Sequence, residues 1–166
     1  NRGLELAGAD WVAFTDDDCV PRPDWLEKLW EALPQAATCA GVGGKTLRLE
    51  EHAVGRFIDR VGSLQPGRNP AGEYTYLVTC NALLRKQAVL AAGGFDTRVA
   101  WAGGEEPILG AALRKAGYFF AAAPEAEVQH QHPASIRALF RMYVRYGRGE
   151  KVGSQLEARK GYSGNL

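Results

Sequence analysis

Three consecutive carboxylates, Asp16, Asp17 and Asp18, follow the apolar run Trp11-Val-Ala-Phe-Thr15. The run is rich in aromatic and β-branched residues, which predicts a buried strand. Because side chains alternate along an extended chain, Asp16 and Asp18 are expected on one side and Asp17 on the other. Two carboxylates aimed at one point repel each other unless a cation or a proton lies between them. The stretch therefore indicates an Mg²⁺ or Mn²⁺ site, with a solvated acidic turn as the alternative that it leaves open.

Two further polar pairs stand at the ends of predicted elements. Glu105 and Glu106 open a helix, where the positive end of the helix dipole keeps carboxylates ionised and able to act as general bases. His130 and His132 follow a strand, and a histidine with a free nitrogen can complete a metal shell. Each pair also has a plainer interpretation, as ordinary helix-start acids or as hydrogen-bonded strand-end residues. Ligands of open α/β sheets bind outside the carboxyl ends of the strands, which is where the histidines and the aspartates are expected.

The composition describes an ordinary globular domain. The chain has 166 residues, of which 46% are hydrophobic and 23% are charged, and this is enough to bury one core. A formal net charge of +1 argues against nucleic acid as a partner. Cys19, Cys39 and Cys80 are an odd number without C-x-x-C spacing, so we expect buried thiols in a reducing compartment. No apolar run is long enough to span a membrane.

Helical and strand-like patterns alternate along the chain, which predicts an α/β fold. The patterns predict helices over 25–33, 50–64, 84–92, 108–116 and 136–146, and strands over 11–15, 40–42, 46–49, 74–80, 118–122 and 126–129. The first residues resemble the end of a helix placed directly before the strand that carries the acids. Because a parallel sheet rarely begins on such a strand, we expect further elements upstream.

Taken in order, these segments resemble the second half of a family 2 inverting glycosyltransferase with the GT-A fold. The combination is more specific than a D-x-D motif alone. The segments that carry the resemblance are Asn1-Arg-Gly-Leu4, Phe14-Thr-Asp-Asp-Asp-Cys-Val-Pro21, Thr79-Cys-Asn-Ala-Leu-Leu-Arg85, Gly93-Gly-Phe-Asp96, Gly103-Gly-Glu-Glu-Pro-Ile-Leu109, Val128-Gln-His130 and Arg145-Tyr-Gly-Arg148.

The resemblance implies a GT-A-like (Rossmann-like) mixed sheet flanked by helices, with the N-terminal nucleotide-binding strands missing from this chain. Residues 1–149 would be a partial catalytic domain, and residues 150–166 a polar, flexible tail. The implied activity is metal-dependent transfer of a sugar from a nucleotide-diphosphate sugar to an acceptor hydroxyl with inversion, in polysaccharide or glycolipid assembly. This activity is expected of the parent protein, and the fragment alone is expected to be impaired.

The resemblance also implies roles for individual residues. Asp16, Asp18 and His130 would hold Mn²⁺ or Mg²⁺, with His132 as the less favoured alternative to His130. Glu106 or Glu105 would be the base, and the choice stays open because the family usually carries Asp where this chain has Glu106. Donor or diphosphate contacts are implied at Asp17, Asn1 and Arg2, and acceptor-side contacts at Asn81, Asp96, Trp101 and Gly104.

The implied partners are a nucleotide-diphosphate sugar and a saccharide or lipid-linked acceptor. A homodimer through an exposed edge strand is left open. The basic amphipathic helix 136–148 is expected to pack on the sheet with its charged face in solvent, and contact with an anionic membrane is the alternative. The expected location is the cytoplasm, and the inner face of the membrane is left open as a more specific location.

Two other classes of protein compete with a glycosyltransferase. A metal-dependent nucleotidyltransferase uses a similar combination of nucleotide and carboxylates, but the Gly-Gly-Phe-Asp and Gly-Glu-Glu segments favour glycosyl transfer. A non-catalytic module stabilised by a structural cation would show metal-dependent stability without any effect of a sugar nucleotide.

Overall fold

A five-stranded mixed sheet forms the centre of the computed structural model, which describes residues 1–162. The strands are β1 (Trp11–Phe14), β2 (Cys19–Pro21), β3 (Cys39–Arg48), β4 (Ala82–Arg85) and β5 (Phe119–His130), in the order β1-β4-β3-β5-β2. β4 is antiparallel to both β1 and β3, β3 is parallel to β5, and β2 is antiparallel to β5. β1, β3 and β5 therefore run in one direction, and their carboxyl ends lie at the same edge of the sheet.

Helices cover both faces of the sheet. They are α1 (Arg2–Leu6), α2 (Trp25–Glu31), α3 (Ala53–Val61), α4 (Lys86–Ala91), α5 (Glu105–Lys115) and α6 (Ile136–Arg159), with a 3₁₀ turn at Thr79–Asn81. Buried residues of α4 and α5, including Val89 and Leu113, pack on one face with Leu84 of the sheet. Leu29 of α2 packs on the other face, against Val42 and its neighbours. The protein thus has the layered α/β architecture that the alternating patterns predict.

An irregularity in the pairing of the two longest strands surrounds Asn81. Gly44 pairs with Ala123, but the next residue, Lys45, pairs with Glu127. The Asn81 side-chain amide fills this irregularity by donating hydrogen bonds to the carbonyl oxygens of Lys45 at 3.0 Å and of Ala126 at 2.9 Å. Asn81 Oδ1 accepts a hydrogen bond from the Trp25 indole at 2.8 Å. Every polar atom of this buried amide is therefore paired within the protein.

The strand prediction is wrong in several places, and it omits β2 and β4, the second of which includes the first residues of the helix predicted over 84–92. The structure has no strand at 74–80, where an irregular segment buries Thr75 and Leu77 before the 3₁₀ turn. Alternating burial can therefore arise from a packed loop without any strand pairing. The structure also merges 40–42 with 46–49, and 118–122 with 126–129, into the single strands β3 and β5. Both glycines between the first two segments, Gly43 and Gly44, are accommodated inside β3 rather than ending it.

Helix α6 is longer than the sequence predicts. It continues to Arg159, so the flexible tail expected from residue 150 is helical over 150–159, and residues 163–166 lie outside the described residues. Glycines in a sequence favour a flexible tail over a helix. Gly149 and Gly153 are instead buried within α6, where this helix crosses residues 101–104. The division of the chain at residue 149 stays a prediction.

The first half of α6 also differs from its expected packing. Its apolar side chains, which the sequence predicts to pack on the sheet, are exposed at Ile136, Phe140 and Val144.

None of the helices described over residues 1–162 combines the length and the apolar character needed to cross a membrane.

Candidate active site

The edge of the sheet where β1 and β5 end brings together Asp16, Asp18, Cys19 and His130. One potential ligand atom of each lies within 4.8 Å of the others. Pairing of β2 with β5 places Cys19 opposite His130, and the Gln131 N–H donates to the Asp18 carbonyl at 2.9 Å. The grouping of Asp16, Asp18 and His130 is the one that the sequence predicts.

His130 is oriented by a hydrogen bond on the far side of its ring. Its Nδ1 lies 2.9 Å from the Gln131 carbonyl oxygen, which can only accept, so Nδ1 carries the proton. Nε2 then faces the acids and lies 3.3 Å from Asp18 Oδ1. A second-sphere bond of this kind fixes the tautomer of metal-binding histidines in general.

The electrostatics of the cluster favour a cation. Burial raises the pKa of Asp16, and the carboxylates of Asp18 and Asp17 raise it further. Adjacent negative charges of this kind are relieved by a metal ion or by a proton. Two carboxylates and one imidazole fit Mn²⁺ and Mg²⁺. The residues present therefore suit a divalent metal.

Cys19 is the member of the cluster for which the sequence predicts no part in a metal site. The neighbouring Cys80 thiol lowers the pKa of Cys19. The sequence places Cys19 next to Asp18, but only the pairing of β2 with β5 shows that its thiol faces His130.

His132 lies behind His130 and outside the cluster. The two rings stack with 5.1 Å between their centroids, and His132 Nε2 is 3.5 Å from Asp59 Oδ1. Burial and the neighbouring His130 both lower the pKa of His132. His132 thus supports the ring of His130, and the choice of His130 over His132 as a metal ligand stays a prediction.

A cavity of about 780 Å³ connects the cluster to the two glutamates. Asp16 and His130 line it together with Glu105 and Glu106. Other parts of its wall come from residues 75–79, from the start of α5 and from α6, including Tyr76, Val78, Thr79, Tyr143, Tyr146, Glu150 and Ser154. The sequence predicts no role in the cavity for α6, although Tyr146 lies in the segment Arg145-Tyr-Gly-Arg148 that carries the family resemblance.

The two glutamates have different surroundings. Glu105 Oε2 accepts hydrogen bonds from the backbone N–H groups of Gly103 at 2.8 Å and Gly104 at 2.9 Å, so this carboxylate fixes the loop before α5. Glu106 Oε1 accepts from Thr79, through its backbone N–H at 2.9 Å and its hydroxyl at 2.8 Å. Burial raises the pKa of Glu106 to about 7, and the negative charge of Glu105 adds to the effect.

The residues predicted on the donor side do not line the cavity. Asp17 is exposed and is not part of the cluster. Asn1 exchanges two hydrogen bonds of 2.9 Å with the backbone of Phe95, and Arg2 pairs with Glu5 at 3.2 Å. In this structure Asn1 and Arg2 therefore make contacts within the protein at the start of the chain.

Of the residues predicted on the acceptor side, Gly104 lines the cavity. Asn81 is enclosed in the irregularity between β3 and β5, away from it. Asp96 pairs with Arg98 at 2.6 Å and with Lys160 at 2.9 Å, and these partners, with Arg98 contributing most, hold the pKa of Asp96 well below its usual range. Trp101 is exposed and stacks with Arg148 at 5.3 Å. These three side chains have structural contacts and do not line the cavity.

Sequence relatives point to one family. A model of the family described as glycosyl transferase family 2 matches residues 1–91. The chain is 30% identical over 154 residues to a pre-mycofactocin glycosyltransferase of Mycobacterium tuberculosis, a match that covers 89% of this chain and 32% of that protein. It is 28% identical over 162 residues to the succinoglycan biosynthesis protein ExoM of Rhizobium meliloti, covering 96% of this chain and 52% of that protein. The chain thus spans about a third to a half of the length of these relatives.

A solved structure shows the same fold. GalNAc-T7, in a crystal structure with UDP, GalNAc and Mn²⁺, superposes with a TM-score of 0.62 at 12% identity, over 91% of this chain and 33% of that chain. Structural neighbours of this kind confirm the predicted GT-A fold. Because the family match covers more than half of the chain and includes the acidic cluster at the end of β1, this chain belongs to glycosyl transferase family 2.

Proposed function

We propose that the protein transfers a sugar from a nucleotide-diphosphate sugar to an acceptor hydroxyl, with inversion at the anomeric carbon. One observation carries the proposal: a single cavity is lined by members of the acid–histidine cluster and by a separate carboxylate, Glu106, whose pKa is raised to about 7. Glycosyl transfer by direct displacement needs both groups in different places, one to hold the diphosphate and one to remove a proton.

Asp16, Asp18 and His130 are the residues that would hold Mn²⁺ or Mg²⁺. A divalent ion bound there supplies positive charge that stabilises the leaving nucleoside diphosphate. The Mn²⁺ in the GalNAc-T7 structure supports a metal in this class of fold. Without such an ion, the negative cluster would repel the phosphates of the donor.

Glu106 is the residue that we assign as the base. It takes the proton of the acceptor hydroxyl while that oxygen forms a bond to the anomeric carbon and the bond from this carbon to the diphosphate oxygen breaks. A pKa of about 7 suits this task, because a large fraction of the carboxylate is ionised near neutral pH and still binds a proton well. Glu105 uses one carboxylate oxygen to hold the N–H groups of Gly103 and Gly104, so it is assigned as a positioning residue.

The acceptor is proposed to be a saccharide or a lipid-linked saccharide. Tyr76 and Tyr146 line the cavity together with Glu150 and Ser154, whose side chains carry hydrogen-bonding groups. Such a mixture of aromatic and polar side chains suits sugars, whose faces are apolar and whose edges carry hydroxyls. The Rhizobium relative is named for succinoglycan biosynthesis, which supports polysaccharide or glycolipid assembly as the setting.

The test uses the full-length protein. Calorimetry with a panel of sugar nucleotides in Mn²⁺ should find one donor that binds, and binding should be lost with a chelator and in Asp18→Asn. Glu106→Gln should still bind this donor but should not transfer the sugar. NMR of the product should show the anomeric configuration opposite to that of the donor.

Three results would contradict the proposal. Metal-dependent stabilisation with no nucleotide binding would indicate a non-catalytic module held by a structural cation. A product that contains the nucleotide itself would indicate a nucleotidyltransferase. Retention of the anomeric configuration would overturn the direct displacement and with it the role of Glu106.

A further inference from the structure

The first half of α6 has an exposed apolar stripe that is separate from the side on which the helix packs. Successive residues of an α-helix are about 100° apart, so positions 136, 140, 143 and 144 fall on one side of it. The side chains there are Ile136, Phe140, Tyr143 and Val144, and Ile136 and Phe140 are 78% and 69% exposed. The packed side contains Gly149, Gly153 and Leu156, which are buried. Apart from the hydroxyl of Tyr143, which lies 2.7 Å from the Ser63 hydroxyl, the stripe is therefore separate from the contact that holds α6 on the domain.

A row of arginines flanks this stripe. Arg137, Arg141, Arg145 and Arg148 are all exposed, and the first acidic residue of the helix is Glu150. Arg145 and Arg148 lie over the rings of Tyr146 and Trp101, at 5.4 Å and 5.3 Å. Within residues 1–162, none of the four arginines forms an ion pair. Their positive charge is thus available to an external partner.

Helix α3 extends the same surface. The Ser63 hydroxyl, just after α3, lies 2.7 Å from the Tyr143 hydroxyl and links the two helices. Phe57 and Val61, one turn apart on α3, are 47% and 51% exposed. Arg60, between them along the chain, is also exposed and without an ion pair in the described part of the chain. We call this surface the basic apolar face. Its side chains are Phe57, Arg60, Val61, Ile136, Arg137, Phe140, Arg141, Tyr143, Val144, Arg145 and Arg148.

We propose that the basic apolar face binds the surface of an anionic lipid bilayer. Exposed Ile and Phe side chains can enter the boundary between headgroups and acyl chains, while arginines beside them contact lipid phosphates. The charge of the face selects this occupant over a second copy of the chain, because a symmetric contact between two such faces would bring like charges together.

Binding in this orientation would place the cavity next to the lipid surface. Tyr143 belongs to the exposed stripe and also lines the cavity. Tyr146, one turn further along α6, lines the cavity as well. If the proposed function holds, a lipid-linked acceptor could reach the site without leaving the bilayer surface. The membrane contact itself rests only on the basic apolar face, so it can be tested independently of sugar transfer.

The test is flotation of the full-length protein with vesicles of phosphatidylcholine alone or of phosphatidylcholine mixed with phosphatidylglycerol. We expect binding to the mixed vesicles, with an affinity that falls as salt is raised. Arg137→Gln and Arg141→Gln should each weaken this binding roughly five-fold. The double variant Ile136→Ser/Phe140→Ser should weaken it about ten-fold or more.

Matched controls lie on α2, on the other side of the sheet. Leu26→Ser/Trp30→Ser removes two exposed apolar side chains there, and Lys28→Gln removes a nearby positive charge. These variants should bind vesicles as the unmodified protein does, and circular dichroism should show that every variant is folded.

Three outcomes would overturn the proposal. The first is no preference for the anionic vesicles, and the second is equal binding by face and control variants. The third is a concentration-dependent dimer that Ile136→Ser/Phe140→Ser dissociates, without vesicle binding, which would assign the face to a contact between copies.

Discussion

Thr79 donates two hydrogen bonds to the same carboxylate oxygen of Glu106, from its backbone N–H at 2.9 Å and from its hydroxyl at 2.8 Å. Both bonds favour the ionised carboxylate and oppose the burial that raises the pKa of Glu106. A 3₁₀ turn on one side of the cavity thus sets the basicity of a residue that belongs to α5. The proposed base would otherwise hold its proton too tightly to work near neutral pH.

Thr79→Val should therefore shift the pH dependence of transfer to higher pH. Loss of the hydroxyl leaves only the backbone N–H, and a hydrogen bond to a charged group is worth about 1.5 kcal/mol or more, so the shift should be roughly one pH unit. The acidic limb of kcat/KM against pH measures it. Thr79→Ser keeps a hydroxyl and should restore the original limb. An unchanged limb in Thr79→Val would separate Thr79 from the base.

Glu106→Gln should make the protein more stable at alkaline pH. The pKa of Glu106 in the folded protein is about 7, above its ordinary value of 4.5, so the folded state holds this proton more tightly than the unfolded state does. The stability that protonation contributes is complete below about pH 4.5 and is lost as the pH rises through 7. The variant, which carries no titrating group, should gain on the order of 1–3 kcal/mol relative to the wild type at about pH 8.

Urea denaturation in the presence of a chelator measures this gain. The advantage of Glu106→Gln should be larger at about pH 8 than at about pH 5. Glu27→Gln, on the exposed side of α2, provides the control and should show the same small effect at both values. A difference between Glu106→Gln and the wild type that does not change with pH would show that the carboxyl is not held protonated by burial.

Metal affinity should distinguish Asp18 and His130 from the neighbouring Asp17. Asp18 belongs to the cluster with His130, whereas Asp17 is exposed outside it. Asp18→Asn and His130→Ala should each weaken Mn²⁺ binding at least about ten-fold, and Asp17→Asn should leave it within about two-fold. Calorimetric titration with Mn²⁺ alone measures this. Equal losses in all three variants would mean that the acids act as a diffuse negative surface.

The crossing of α6 over the loop before α5 depends on glycine at positions 149 and 153. A Cβ at Gly149 would overlap the carbonyl oxygens of Trp101 and Ala102, and one at Gly153 would approach the backbone of Gly104. Gly149→Ala should therefore destabilise the protein by about 1–3 kcal/mol, because the helix must move away from this loop. Since Glu105 holds the N–H groups of Gly103 and Gly104, transfer activity should fall as well.

Gly147→Ala is the matched control for this crossing. It is in the same helix, and a Cβ there would contact nothing within 4 Å. Alanine has a higher helix propensity than glycine, so this variant should be more stable by up to about 1 kcal/mol. Thermal denaturation of the two variants compares them directly. A stable Gly149→Ala protein would show that α6 can shift at little cost.

The parts of the site that the sequence predicts are those that local patterns determine. The apolar run before Asp16 predicts β1, and the acids before Pro107 predict the start of α5. The pairing of Cys19 with His130 joins residues that are far apart along the chain, and no periodicity reports it. The position of α6 is likewise determined by glycines that contact another segment, and glycine in a sequence more often indicates a loop.

The role of Asn81 also could not be predicted from the sequence. The motif in which it lies suggests an acceptor contact, whereas the structure gives its side chain three hydrogen-bond partners inside the protein. Asn81→Ala would leave the Lys45 and Ala126 carbonyls and the Trp25 indole without their partner. We expect a loss of about 2–4 kcal/mol, measured by urea denaturation, since buried unpaired groups keep their full desolvation cost. Asn69→Ala, which removes hydrogen bonds in an exposed loop, should cost less than about 1 kcal/mol.

The kinetic constants of Asn81→Ala distinguish the two roles of this residue. If Asn81 only supports the irregularity between β3 and β5, the folded variant should keep its KM for the acceptor and lose stability alone. A stable variant with a raised KM for the acceptor would instead indicate that Asn81 contacts the acceptor. The second result would require the Asn81 amide to leave the carbonyls of Lys45 in β3 and Ala126 in β5. β5 ends at His130, which pairs with Arg48 of β3. The structural role of Asn81 is therefore the one that keeps Asp16, Asp18 and His130 together.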